Sequence, residues 1–347
     1  MTGAVMDFFH WERMEMCAMS AASEIAHNVW LGPTPDPNLN VGRDGLTASK
    51  EPGFDVMIEA NDLAQTPNAK SFALLEDLLA HKDNNHLAEN AIPQLEFPGS
   101  GAILPPTWSQ AEVDGLLATC EWIYKQANNR PARPQRRDSK LCVDADGDSN
   151  MQSPHDQKAS RGRRILIHCT DGYTESSLLA LAYYMYAECV PAHDAWLQLH
   201  RDKARNFFAY GSDVALLRAA QPRLLQSSPK HSGHLKHLCP PTPEWLEGMD
   251  GSLPSRILDY MYLGNLGHAN NPVLLKELGI GQVLSIGEPV LWPKEARESW
   301  PKERLLYVDK VQDNGVDPLT DEYARCLQFI GERAQQFPHP FLEGDPH

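Results

Sequence analysis

The chain has 347 residues, a formal net charge of −15, 42% hydrophobic residues, 27 prolines and 23 glycines. Its length sets two domains as the expectation, and its acidic balance argues against a nucleic-acid-binding surface, leaving room only for a local basic patch. The seven cysteines (Cys17, Cys120, Cys142, Cys169, Cys189, Cys239, Cys326) are scattered and odd in number, the N-terminus lacks a basic segment ahead of an apolar run, and no apolar stretch is long enough to span a membrane. Cytoplasm or nucleus, without membrane attachment, is the expected location.

Residues 1–22 read as a tail, and a first block runs from 23 to 225. A strand at 29–31 is ended by Gly32 and Pro33, and a second strand follows at 55–59. The stretch between Asn61 and Leu95 reads as a long loop. A helix is expected over 110–128 and a strand over 164–167. Helices follow at 176–189, stopped by Pro191, and at 193–203 and 212–220. Strands alternating with helices define an α/β class. Residues 129–163 are polar, contain Pro131, Pro134 and Pro154, show neither period, and read as a disordered insertion.

Residues 226–252, rich in Pro, Ser and His, form a linker, and the remainder, 253–347, repeats the order of the first block. Met261-Tyr262-Leu263-Gly264 answers Val29-Trp30-Leu31-Gly32. A strand at 282–286 answers 55–59, and a helix at 321–334 answers the one around Trp122 and Ile123. The offset between the copies shrinks from 232 to about 207 because the first carries the longer loop after Asn61.

The segment with chemistry is Ile165-Leu166-Ile167 followed by His168, Cys169, Thr170, Asp171, Gly172, Tyr173, Thr174, Glu175, Ser176 and Ser177: an apolar strand, a tight loop and a helix start. Such a loop aims successive backbone N–H groups at one point in front of a helix dipole, which suits a phosphate. A cysteine at its base is expected to be a thiolate able to attack phosphorus. Gly172 permits a backbone angle other residues resist, and Ser176 is placed to cap the helix and to donate to a departing thiolate.

This stretch resembles the His-Cys-x5-Arg-Ser/Thr loop of protein tyrosine and dual-specificity phosphatases at His168, Cys169, Gly172 and Ser176. Arg256-Ile257-Leu258, Tyr262-Leu263-Gly264-Asn265 and Leu278-Gly279-Ile280 look like the opening of a second such domain, so the chain is most similar to the fungal tandem dual-specificity phosphatases of the Pps type. The resemblance implies a central sheet flanked by helices in two copies, the second incomplete and stopping before its catalytic loop. It also implies dephosphorylation of phosphotyrosine and phosphoserine or phosphothreonine through a cysteinyl-phosphate, with no cofactor. Partners would be phosphoproteins or a regulatory protein.

The departures are as specific. The family's arginine, six positions after the cysteine, grips phosphate oxygens in a bidentate fork; here Glu175 stands there. A unit charge about 4 Å from phosphate is worth roughly 4 kcal/mol at an effective dielectric near 20, and reversing its sign doubles the swing. The family's general acid has a counterpart in the second block, Asp313, while Glu96 is the nearest and a poor match in the first. The loop as written therefore predicts an impaired enzyme, or a non-catalytic module regulating a partner or the second domain. No metal site is expected. His231, His234, His237 and Cys239 lack a partner Cys-x-x-Cys, and Asp144, Asp146 and Asp148 lack the glycine and glutamate of a calcium loop.

Overall fold

The structure is a computed structural model describing residues 21–35, 53–83, 92–103, 109–128, 162–203, 205, 208–233, 239–247, 249–258, 260–309, 311–312, 314 and 316–334. By its internal contacts the chain divides into two compact units, residues 1–192 with 212–234, and residues 193–211 with 235–347. Asp313, most of the 129–163 insertion, the 144–148 aspartates, His234 and His237 lie outside the described residues.

The first unit is built on strands β1 (Ser23–Ala26), β2 (Val29–Pro33), β3 (Val56–Asn61), β4 (Gln94–Pro98) and β5 (Ile165–Cys169). Their order in the sheet is β1-β2-β5-β3-β4, with β1 antiparallel to β2 and the rest parallel. All five residues of β5 are buried, as a strand with parallel neighbours on both edges and cover on both faces requires. Ile165 is in register with Val29 on one side and Val56 on the other, which puts His168 opposite both Gly32 and Glu59.

Helices α1 (Ala69–Asp83), α2 (Gln110–Asn128), α3 (Ser177–Glu188), α4 (Ala192–Arg201) and α5 (Gly211–Gln226) complete the series, α4 lying largely in the second unit. Eleven of the twelve α3 residues are buried, so α3 has no polar face and is the central helix of this core. Its C-terminus closes at Cys189, in the left-handed conformation with φ 58°.

Three features depart from the sequence expectations. The stretch after Asn61 is not a simple loop, because α1 occupies it; only Leu75 and Leu79 of that helix are buried, a stripe too narrow to give a strong period. Helix α5 runs on through Pro222 to Gln226, where packing of Leu216, Leu217, Ala220, Leu224 and Leu225 outweighs the missing N–H. Arg163, assigned to the insertion, is buried: its guanidinium lies 2.6 Å from Asp83 and donates to Gln126 at the entry to β5.

The second unit holds an antiparallel pair, β6 (Ser255–Leu258) with β7 (Met261–Leu263), and a parallel pair, β8 (Val283–Ile286) with β9 (Leu305–Val308). Short helices α6 (Leu266–Ala269), α7 (Pro272–Glu277) and α8 (Lys294–Glu298) and the longer α9 (Tyr323–Ala334) accompany them. The β6–β7 register (Ser255 to Leu263, Arg256 to Tyr262, Leu258 to Met261) reproduces that of β1–β2 (Ser23 to Leu31, Glu24 to Trp30, Ala26 to Val29) at a constant offset of 232, including the irregularity between the second and third pairs. Leu275, Val290, Trp292 and Trp300 form one small core, and Val308, Val311 and Cys326 another.

Candidate active site

Cys169 is the last residue of β5, at the carboxyl end of the parallel strands, where open α/β sheets present their ligand sites. Thr34, just past β2, fixes this end: its N–H donates to the Cys169 carbonyl at 2.8 Å and its hydroxyl to the same oxygen at 3.2 Å. The hydroxyl also lies 2.9 Å from Nδ1 of His168. Burial lowers the His168 pKa to about 4, so the ring is neutral and serves to hold the strand end.

The chain then turns through residues 170–176 into α3. Gly172 adopts φ +70°, and a Cβ there would stand 2.3 Å from the carbonyl carbon of Gly32, so the loop can close against β2 only with glycine at this position. The Tyr173 N–H, one of the donors a phosphate would use, donates to Asp171 Oδ1 at 2.9 Å. Ser176 is fully buried but makes no cap bond. It is already in the right-handed helical region, with φ −84° and ψ −6°, and its hydroxyl lies 3.5 Å from Cys169 Sγ. Of the two roles expected for Ser176, capping is absent, and the position beside the thiol is present.

Glu175 stands close to the thiol. One ligand atom each of Cys169, Asp171 and Glu175 lie within 4.8 Å of one another, the Cys169 thiol donates to Asp171 Oδ1 at 3.3 Å, and Glu175 Oε2 is buried without a hydrogen-bond partner. Burial pushes the Cys169 thiol up; the Ser176 hydroxyl opposes this, and the Glu175 and Asp171 carboxylates add to it. Burial and the two neighbouring carboxylates therefore work against the thiolate that the loop's architecture suggested. Cys169, Asp171 and Glu175 are also the ligand set that could hold a metal among the described residues, though a cation there would face the positive end of α3.

Two further residues, neither signalled by the sequence, hold the loop. Ser100, after β4, donates its N–H to the Glu175 carbonyl at 2.9 Å, and its hydroxyl accepts from the Leu178 N–H at 2.7 Å. Asp213, in the first turn of α5 and fully buried, accepts from the Gly101 N–H at 3.0 Å. Burial raises the Asp213 pKa to about 6, against the bonds from Gly101 and Ser100. An acid in the first turn of a helix suggests a dipole contact rather than a latch between two loops. Glu96 is exposed on β4, and the loop that follows contributes Ser100 to the site.

No protein-family model matches the chain. The dual specificity protein phosphatase PPS1 of Saccharomyces cerevisiae is 28% identical over 287 residues, which is 75% of this chain and 31% of that protein. The chain thus spans about a third of that relative's length. Among solved structures, human DUSP28 aligns with 58% of this chain and 94% of its own at 11% identity and a TM-score of 0.31. The human tyrosine phosphatase-like serine/threonine/tyrosine-interacting protein aligns with 59% and 97% at 14% and 0.30. Overlaps this low carry no argument about this chain.

Proposed function

We propose, from the similarity to the dual specificity protein phosphatase PPS1, that the first unit is a non-catalytic phosphatase module, which binds or supports a partner instead of turning over phosphoesters. The observation carrying this reading is the Glu175 carboxylate, turned inward beside Cys169 with one oxygen buried and unpartnered. A dianionic ester entering the loop would meet Asp171 and Glu175 instead of a guanidinium, and one of its N–H donors is already engaged by Asp171. The nucleophile would be a thiol held in its neutral form.

In a longer polypeptide of this kind, hydrolysis of phosphotyrosine and phosphoserine or phosphothreonine through a cysteinyl-phosphate would fall to the second domain, with Asp313 as its general acid. The common register of β1–β2 and β6–β7 supports a duplicated domain. Phosphoproteins or a regulatory protein would be the partners. The cytoplasm or nucleus would be the location, consistent with the free thiols Cys120, Cys169, Cys189, Cys239 and Cys326. Among the described residues no helix is long and apolar enough to cross a membrane.

The test is hydrolysis of an aryl phosphate and binding of vanadate by the wild type, Cys169→Ser and Glu175→Arg. The expected result is no vanadate-sensitive turnover by the wild type and a gain of oxyanion binding in Glu175→Arg. Wild-type hydrolysis that disappears in Cys169→Ser would overturn the non-catalytic reading. A Glu175→Arg variant that binds no oxyanion would show that the loop is no phosphate cradle.

A further inference from the structure

In the second unit the β8–β9 register sets Val283 beside Leu305 and Leu284 beside Leu306, and successive side chains of a strand take opposite faces. Leu284 packs on the small core of Val308, Val311 and Cys326. Val283 and Leu305 pack on the other core, that of Leu275, Val290, Trp292 and Trp300. That second packing is incomplete: a cavity of about 690 Å³ remains beside it, and the described residues that line it all fall between Val283 and Tyr307. One contiguous stretch of this unit therefore builds it. Val283, Val290, Trp300 and Leu305 give it an apolar floor.

Two further properties of the wall point to a ligand. Trp300 is only 6% exposed, and its indole N–H is buried without a hydrogen-bond partner among the described residues. The indole of Trp292, whose ring centroid is 4.8 Å away, has one, donating to the Ala269 carbonyl at 2.7 Å. A buried donor left unpaired is costly, and an acceptor that reaches it is held firmly. The second property is charge. Lys294, Arg297 and Lys302 line the cavity against one carboxylate, Glu298, on a chain of net charge −15. Glu298 lies 3.8 Å from Lys294, and Arg297 is drawn to the wall by donating to the Val290 carbonyl at 3.1 Å. The balance that an entering molecule meets is positive.

We infer that this cavity is a binding site for a small apolar organic acid, with its ring or chain on the Val283–Leu305 floor and its anionic group between the Trp300 N–H and the cations Arg297 and Lys302. The volume is that of a pocket which encloses a small ligand, apolar in its lining with a few placed polar groups. Burial of the ligand's apolar body supplies affinity. Selection falls to the head group. A neutral molecule of the same shape forgoes the charge-assisted bonds, a purely apolar one leaves the indole N–H unpaired, and a cation is repelled by the rim. The inference does not depend on the chemistry of Cys169.

The experiment follows the indole N–H signals of the eight tryptophans by NMR in the isotope-labelled full chain, titrated with cinnamate and, as a neutral control of the same shape, cinnamamide. The signal that is absent from Trp300→Phe, or that shows Overhauser contacts to the Trp292 ring, identifies Trp300. It is expected to shift saturably with cinnamate, and the amide to bind at least about tenfold more weakly. Lys302→Glu, at an exposed position, should weaken cinnamate at least about fivefold and leave the amide unchanged. A Trp300 signal that stays still or moves without saturating, equal binding of acid and amide, or undiminished binding of cinnamate by Lys302→Glu would overturn the inference.

Discussion

Asp213 is fully buried in a site that ties the loop after β4 to α5, and its pKa of about 6 lies above the unfolded value of 3.8. The folded state therefore holds the proton more tightly than the unfolded state. The stability contributed by this group is fully present below about pH 4 and is lost as the pH rises through about 6. A difference of about two units corresponds to roughly 3 kcal/mol once both states are ionised. About 1 kcal/mol of that has already gone at pH 4.5, which leaves about 2 kcal/mol between pH 4.5 and 7.5. Asp213→Asn cannot ionise, yet it retains a carbonyl for the Gly101 N–H. A constant cost of about 1 kcal/mol for the altered bond to Ser100 is expected at every pH. Superimposed on it, the variant should gain about 2 kcal/mol on the wild type between pH 4.5 and 7.5. Urea unfolding of both proteins at four pH values in that interval reads this directly, provided the two m-values agree. A difference between the proteins that stays flat with pH would refute the raised pKa and the burial argument behind it.

Glu175→Gln removes a charge within 4.8 Å of the Cys169 thiol, worth roughly 3 kcal/mol at an effective dielectric near 20 and about half that after solvent screening at this partly exposed residue. Alkylation of Cys169 at pH 7.5 should quicken about tenfold and its pH profile should move to lower pH; an unchanged profile would mean that Glu175 does not face the thiol. Gly172→Ala puts a Cβ 2.3 Å from Gly32 at φ +70°, and the left-handed strain and overlap together predict a loss of about 3 kcal/mol. An unaltered urea midpoint would show that the loop does not close on β2. Arg163→Met removes the guanidinium 2.6 Å from the Asp83 carboxylate; a destabilisation of about 3 kcal/mol is expected, and Arg163→Met with Asp83→Leu should recover most of it.

Much of the fold could be read along the chain because its signals are local. The apolar run Ile165-Leu166-Ile167 gives β5, the all-apolar Leu178 to Ala187 stretch gives α3, and Pro191 ends it. The hairpin motif repeated 232 residues later announced the second unit's first ladder. Helix α1 was missed because only two of its residues are buried, and without a wide buried stripe a helix has little period to detect. Thr34, Ser100 and Asp213 were missed for another reason: their partners lie 135, 78 and 112 positions away. Nothing in a polar side chain's own neighbourhood says that it will be buried against so distant a backbone.

The sequence by itself determined which loop this is and that a carboxylate, not a guanidinium, stands at its sixth position after the cysteine. It left open whether Glu175 turns out to water or in toward Cys169. The tertiary structure decided this, because Ser100 holds the Glu175 backbone through its carbonyl and the buried start of α3 through Leu178. With the backbone pinned there, the side chain enters the loop, and one carboxylate oxygen is lost to solvent beside the thiol. A carboxylate so placed acts through a medium less screening than water, and so it adds to burial in raising the Cys169 pKa in a way that the residue's identity alone did not decide.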